Sequence, residues 1–303
     1  MAPSAVPRDA VVVVTGASSG LGRATALALA SPGRRLVLAA RSEASLHDVA
    51  AECVGRGAQA EVVVCDVGRT DDVEHLFDVA VAGFGRVDAV VHAPAAVAYG
   101  RFDEIPAEIF DAVITTNLLG TAYVARVALR HFRGRGEGKL VLFGSLLGKI
   151  AVPYMSPYVT SKWGVHALVR MLQIEARETP GIGISLISPG SVNTPAYSQA
   201  ANVTGREGRP PPPVDPPEKI VRAVIAALGR PRREVSVGLA NPLAVIGFRV
   251  MPAVYDRIVA PLMRIGGLSR RPVGRPEGTV LHPHPEGNAV HGSWNFLGRR
   301  TEH

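Results

Sequence analysis

Short aliphatic runs alternate with longer amphipathic segments from residue 10 to about residue 237. The runs at 10–15, 35–40, 60–66, 88–92, 139–145, 183–188 and 234–237 are nearly continuous in Val, Leu, Ile and Ala. A strand covered on both faces reads this way, because neither side of its pleat meets water. Residues 20–31, 43–55, 70–83, 107–132, 157–178 and 217–229 lie between them and repeat their apolar positions at helical spacing. Strand–helix alternation at this interval predicts an α/β fold: a parallel sheet, right-handed crossovers and helices on both faces.

The last third breaks the pattern. Residues 196–216 include Pro210-Pro211-Pro212-Pro213, with Pro216-Pro217 adjoining, a density that leaves no regular element. This insertion at about 195–216 reads as a lid over a ligand crevice or as an idle surface loop; both stay open. Residues 243–265 are apolar except for Arg249, Asp256, Arg257 and Arg264. Those four fall on one helical stripe, and Pro252 and Pro261 should kink or split the helix. So broad an apolar face suits packing on the core or a second subunit better than a membrane interface. We expect residues 1–240 to form one domain, 241–268 an amphipathic helical extension and 269–303 an irregular tail. His282, His284 and His291 in that tail lack partner ligands in the sequence, so no metal site is expected.

Composition narrows the class. The 303 residues are 47% hydrophobic and 19% charged, with only 5% aromatics, which supplies a large aliphatic core. Cys53 and Cys65 cannot build a disulfide framework and read as buried thiols of a reducing, cytoplasmic protein. Neither a signal segment nor an uncharged apolar stretch of spanning length is evident. The net charge of +7 comes from scattered arginines without interleaved aromatics. No nucleic-acid module accompanies it, so anionic small ligands are the expected partners.

The first strand runs into Thr15-Gly16-Ala17-Ser18-Ser19-Gly20-Leu21-Gly22 and then directly into a helix. Glycines there allow the sharp turn and the approach of a pyrophosphate to backbone N–H groups at the helix N-terminus. At the end of the second strand Ala40 stands where an NAD-binding protein places Asp or Glu, and Arg41 follows. A guanidinium suits a 2′-phosphate, so NADP(H) is expected over NAD(H). Further on, Tyr158 and Lys162 are four apart on a helix, one above the other. A cation beside a phenol favours the phenolate and should bring its pKa toward neutrality. Ser145 closes the fifth strand, and Asn117 lies inside the long fourth helix.

Together the glycine loop and the Asn117, Ser145, Tyr158, Lys162 set resemble the classical short-chain dehydrogenase/reductase family over roughly residues 10–237. The resemblance implies a doubly wound, Rossmann-type sheet and hydride transfer between nicotinamide and a ketone or secondary alcohol. It implies that Tyr158 is the general acid/base and that Ser145 binds the substrate oxygen. Lys162 would hold the nicotinamide ribose, and Asn117 would interrupt its helix to hold a water leading to Lys162. It assigns the cofactor to Gly16, Ser18, Ser19, Gly20, Leu21 and Gly22, with Asp66 and Val67 at the adenine. Ala93 lies beside the ribose, and Pro189, Gly190, Val192 and Thr194 lie at the carboxamide. One departure stands out: Val91-His92-Ala93-Pro94 replaces the usual Asn-Asn-Ala-Gly, putting the backbone beside the ribose in question. His92 could take over the Asn hydrogen bond to neighbouring backbone.

Family members pair through their long helices, so a homodimer or homotetramer is expected. Segments 94–105, 146–157 and 195–216 should form the substrate pocket, and Leu146, Leu147, Ile150, Val152, Tyr154 and Met155 suggest an apolar substrate. A Ser-His-Asp hydrolase lacks its Gly-x-Ser-x-Gly elbow here. A non-catalytic NADP(H) sensor or scaffold, and a peripheral membrane reductase using 243–265, are the competing readings.

Overall fold

Four consecutive valines in Val11–Thr15 (β1) show why a two-sided sheet forms. Val11 and Val13 enter one apolar cluster, Val12 and Val14 enter another, and all four are fully buried. Alternation along a pleated strand therefore demands a helical layer on each face. The computed structural model describes residues 7–301. Strands Arg35–Ala40 (β2), Gln59–Val64 (β3), Ala89–His92 (β4), Glu137–Phe143 (β5), Gly181–Pro189 (β6) and Glu234–Val237 (β7) join β1 in one sheet. Its order is β3-β2-β1-β4-β5-β6-β7, and every neighbouring pair is parallel.

Helices Gly20–Leu29 (α1), Glu43–Gly55 (α2) and, later, Pro217–Gly229 cover one face, through Leu27, Leu46, Val49, Ile220 and Val224. Thr70–Phe84 (α3), Ala107–Ile114 (α4), Gly120–Arg135 (α5) and Ser156–Glu175 (α6) lie between those in sequence, and Pro217–Gly229 becomes α7. On the opposite face α3, α5 and α6 bury Phe77, Val124, Phe132, Val165 and Val169. The chain travels outward from β1 to β3, then returns to β4 on the other side of β1. Loops after β1 and β4 thus diverge and leave a crevice at the carboxyl ends of the strands.

All seven expected strands are present, with ends shifted by up to two residues. Ser145 lies beyond β5 and opens a 3-10 turn, Leu146–Gly148. The fourth helix continues unbroken in direction from 107 to 135, with a π-helical turn at Thr115–Leu119 joining α4 to α5. That run is long and apolar enough to cross a membrane by composition, but half of its most apolar window is buried in the fold.

The C-terminal region is more ordered than the sequence suggests. Ala201–Asn202, Arg206–Gly208 and Val214–Asp215 are short strands of the proline-rich insertion, paired in turn with Ala98–Tyr99, Leu268–Pro272 and Ser191–Val192. Beyond β7, Asn241–Val250 (α8) and Pro252–Leu262 (α9) are split at Met251, where Pro252 removes an N–H donor. Their broad apolar face is not packed away: Leu243, Val250, Val254 and Leu262 are more than half exposed. Among the described residues the tail contains one strand, Leu268–Pro272, antiparallel to Arg206–Gly208. It then returns across the crevice instead of trailing away.

Candidate active site

The turn between β1 and α1 is set by two close approaches. Gly16 has φ +69°, and a Cβ there would lie 2.7 Å from the Pro94 nitrogen. A Cβ on Gly22 would overlap the Gly16 carbonyl oxygen. Only glycine lets the chain fold this tightly, which aims the N-terminus of α1 into the crevice. Gly20 has φ +53°, and a Cβ there would lie 3.6 Å from the Thr194 side chain, beside the loop after β6.

Ser145 and Tyr158 line one wall of a cavity of about 770 Å³. Ser145 Oγ accepts the Leu147 N–H at 3.1 Å, and its own N–H donates to His166 Nε2 at 3.3 Å. Tyr158 stands one helical turn before Lys162 on α6. Lys162 is 2% exposed; its Nζ donates to the Phe143 carbonyl at 2.9 Å and lies 5.7 Å from the Tyr158 ring centroid. Burial pushes the Lys162 ammonium down to about 8. Burial also raises Tyr158 above the usual phenol value, while a hydrogen bond with Ser145 lowers it. The direction is opposite to the expectation that Lys162 brings the phenol toward neutrality: desolvation sets it.

Asn117 sits in the π-helical turn, fully buried. Its Oδ1 accepts the Ala96 N–H at 2.7 Å; its Nδ2 donates to the Ala96 carbonyl at 2.9 Å and to Ser161 Oγ at 3.0 Å. The helix is thus widened at Asn117, not broken, and the side chain ties the β4 loop to α6. Asn117, Lys162 and Gly22 lie behind the cavity surface. Gly16, Ser18, Ser19, Gly20, Leu21 and Arg41 line it, as do Asp66, Val67 and Ala93 at the same end. Pro189, Gly190, Val192 and Thr194 line its other side. One Asp66 oxygen is used locally, accepting the Gly68 N–H at 2.9 Å.

The comparisons with known proteins follow this geometry. The family model described as short chain dehydrogenase matches residues 10–203. The chain belongs to the short-chain dehydrogenase family. A Bacillus subtilis protein, the uncharacterized oxidoreductase YxnA, is 31% identical over 279 residues, covering 91% of this chain and 78% of its own length. That similarity extends into the C-terminal extension. An alcohol dehydrogenase from Thermococcus sibiricus, solved with 5-hydroxy-NADP, aligns with TM-score 0.66 at 30% identity, covering 75% of this chain and 95% of its own. A short-chain dehydrogenase/reductase from Burkholderia phymatum in complex with NAD aligns at 0.71 and 26%, covering 82% and 95%. The chain is therefore an oxidoreductase of this family with a Rossmann-type, nucleotide-binding fold.

Two parts of this short-chain dehydrogenase were not foreseen. Leu243 of α8, Ile258 and Leu262 of α9, and Met251 between them line the cavity beyond Tyr158, and Thr279, His284 and Asn288 line it beside Arg41. The amphipathic stripe at 243–265 was the available signal for the first. Nothing local marks the second. Arg41, expected to face a 2′-phosphate, donates to the carbonyls of Thr279, Val280 and Leu281.

The unusual fourth strand is also explained. Ala93 N–H donates to the Thr15 carbonyl at 3.2 Å, so the missing Pro94 donor does not divert the backbone. His92 is 2% exposed, and its Nδ1 bonds Thr15 Oγ1 at 2.9 Å, a side chain rather than neighbouring backbone. Its Nε2 has no hydrogen-bond partner among the described residues. Burial, then the Lys162 charge, lower His92 from 6.5 to about 3. The unfolded chain takes up this proton near pH 6.5 while the folded chain refuses it until about pH 3, so stability falls as pH drops through that window. Urea unfolding at pH 7.5 and pH 5 should show a smaller loss in His92→Asn than in the parent. Equal losses would mean that His92 is not a source of the acid sensitivity.

Proposed function

We propose that the protein is an NADP(H)-preferring carbonyl reductase acting on an apolar ketone, with Tyr158 as proton donor. The observation that carries this is the placing of Ser145 and Tyr158 on one cavity wall, with the buried Lys162 ammonium 5.7 Å from the Tyr158 ring centroid. The residues present fit a nicotinamide dinucleotide. Gly16 and Gly22 let the turn close tightly on its neighbouring backbone, and α1 presents its N-terminus to a pyrophosphate. When bound, the nicotinamide supplies the hydride.

The chain's own groups do the rest. Ser145 Oγ orients the substrate oxygen by hydrogen bonding. Tyr158, whose raised pKa keeps the phenol protonated, hands its proton to that oxygen as negative charge grows there. A protonated phenol on the cavity wall is ready to act as the acid of carbonyl reduction. Lys162 offsets the phenolate charge left behind. Asn117 holds the β4 loop against α6, so both walls keep their spacing.

Arg41, with Ala40 in place of an acid, supports NADP(H) over NAD(H). Val97, Leu147, Val152, Met155, Val259 and Leu262 around the outer cavity support a lipophilic substrate. Met171 and Ile174 on α6 stay about half exposed, a surface that homodimer formation would cover. Sedimentation of the purified chain as a monomer at micromolar concentration would remove that assignment.

A panel of ketones assayed with NADPH and NADH tests the reading. Lipophilic ketones should be reduced with higher kcat/KM on NADPH, and Tyr158→Phe should cost on the order of 100-fold or more. Undiminished turnover in Tyr158→Phe, or NADH matching NADPH, would remove the corresponding part. Because Lys162 titrates near 8, kcat/KM for reduction should fall as pH rises through about 8. A flat profile up to pH 9.5 would show that the ammonium charge is not needed.

A further inference from the structure

We propose that residues 279–291 form a strap that competes with the phosphates of the dinucleotide for the same protein donors. The inference rests on the functional reading above and concerns how its cofactor site is regulated.

Three sets of donors are engaged. The Gly20 N–H, first on α1, donates to the Ala289 carbonyl at 2.8 Å, and Ser19 Oγ donates to the same oxygen at 3.2 Å. Arg23 Nη1 reaches the Asn288 carbonyl at 3.4 Å. At the other end Arg41 holds the carbonyls of residues 279, 280 and 281. A helix N-terminus and a guanidinium are the two places where phosphate oxygens would bind, and here backbone carbonyl oxygens occupy both. The Gly20 N–H cannot serve the Ala289 oxygen and a pyrophosphate oxygen at full strength together.

The strap is anchored on both sides of the crevice. Val280 is 2% exposed, packed with Ala98, Ile109 and Val113. Trp294 is 5% exposed and meets Tyr197 edge-on, while its N–H donates to Asn193 Oδ1. The stretch between these anchors, including His282, Pro283, His284, Pro285 and Glu286, is exposed. Besides the bonds from Gly20, Ser19 and Arg23, it is held to the domain by Asn288, whose Nδ2 donates to Ser45 Oγ and whose Oδ1 accepts from Gln199 Nε2, both at 2.9 Å, and by the His291–Glu218 contact. Firm ends and a polar middle let the centre lift while the extension stays docked.

The competition falls unequally on the two cofactors. Either dinucleotide must win Gly20 and Ser19 from Ala289. Only a 2′-phosphate must also draw Arg41 from its three carbonyls, so the strap opposes NADPH more than NADH. Lifting the centre releases Gly20 and Ser19, which both dinucleotides need, while Arg41 stays with the docked 279–281 end, so loosening the centre should tighten both.

The test uses the full-length chain and its Asn288→Ala variant, titrated with NADPH and with NADH by fluorescence. Loss of two hydrogen bonds to the strap should lower the Kd for NADPH and for NADH alike, by about tenfold. In the unmodified protein, NADPH should speed deuterium exchange at amides around Asn288. Unchanged or weaker NADPH binding in the variant, or slower exchange of the strap with NADPH, would overturn the proposal and make the segment a clamp on bound cofactor. If neither protein binds NADPH or NADH, the functional reading itself falls, and the inference with it.

Discussion

The molecule depends on how closely the backbone after β1 packs against its neighbours. Gly22 lies against the Gly16 carbonyl and Gly16 against Pro94, so a side chain at either glycine would force the turn apart. That closeness starts α1 directly over the end of the sheet, where the strand order reverses and the crevice opens. Gly20 then meets Thr194, which brings the loop after β6 into the same wall. Position of the helix N-terminus, width of the crevice and contact between its two sides all descend from one turn. The Rossmann-type topology supplies the opening; the glycines make it usable by a ligand that needs backbone donors.

A second constraint is the burial of one unmatched charge. Lys162 is covered almost completely, and the group its ammonium is seen to bond is a backbone carbonyl, not a carboxylate. Its pKa falls accordingly, and its charge also acts on its surroundings, adding to burial in keeping His92 and His166 neutral. Neutral His166 can accept the Ser145 N–H at Nε2, and neutral His92 can sit against Thr15 without repelling the ammonium. One cation thus helps to set the protonation of the polar network behind the cavity. Such a group stabilises nothing by itself, since desolvation opposes it. Its retention in the fold points to chemistry.

Much of this was legible in the sequence because it is local. Aliphatic runs of strand length, the glycine loop between a run and a helix, and the four-residue spacing of Tyr158 and Lys162 each carry their own physical signature. Ser145, Tyr158 and Lys162 do converge, and the cofactor residues named from the motif line the cavity or lie just behind it. The balance of forces at Tyr158 was not legible. Spacing reveals that a cation is near; only the packing shows that the phenol is buried deeply enough for desolvation to prevail. The π-helical turn at Asn117 was hidden for a similar reason. A helix pattern is compatible with one wider turn, and the Ala96 and Ser161 contacts that define it come from distant segments.

The C-terminal extension was the least legible, and the reason is chemical. Arg41 meets its partners through their backbone carbonyls, about 240 positions away, and Gly20 meets Ala289 in the same way. A carbonyl is present at every residue, so no side-chain pattern records which ones will be used. Composition misled as well: proline, glycine and histidine make 269–303 read as a tail, yet the same scarcity of regular structure leaves its carbonyls free to bind elsewhere. A segment rich in unpaired acceptors and a crevice rich in unpaired donors complete each other. That complementarity seats the extension across the crevice, on the N-terminus of α1 and on Arg41.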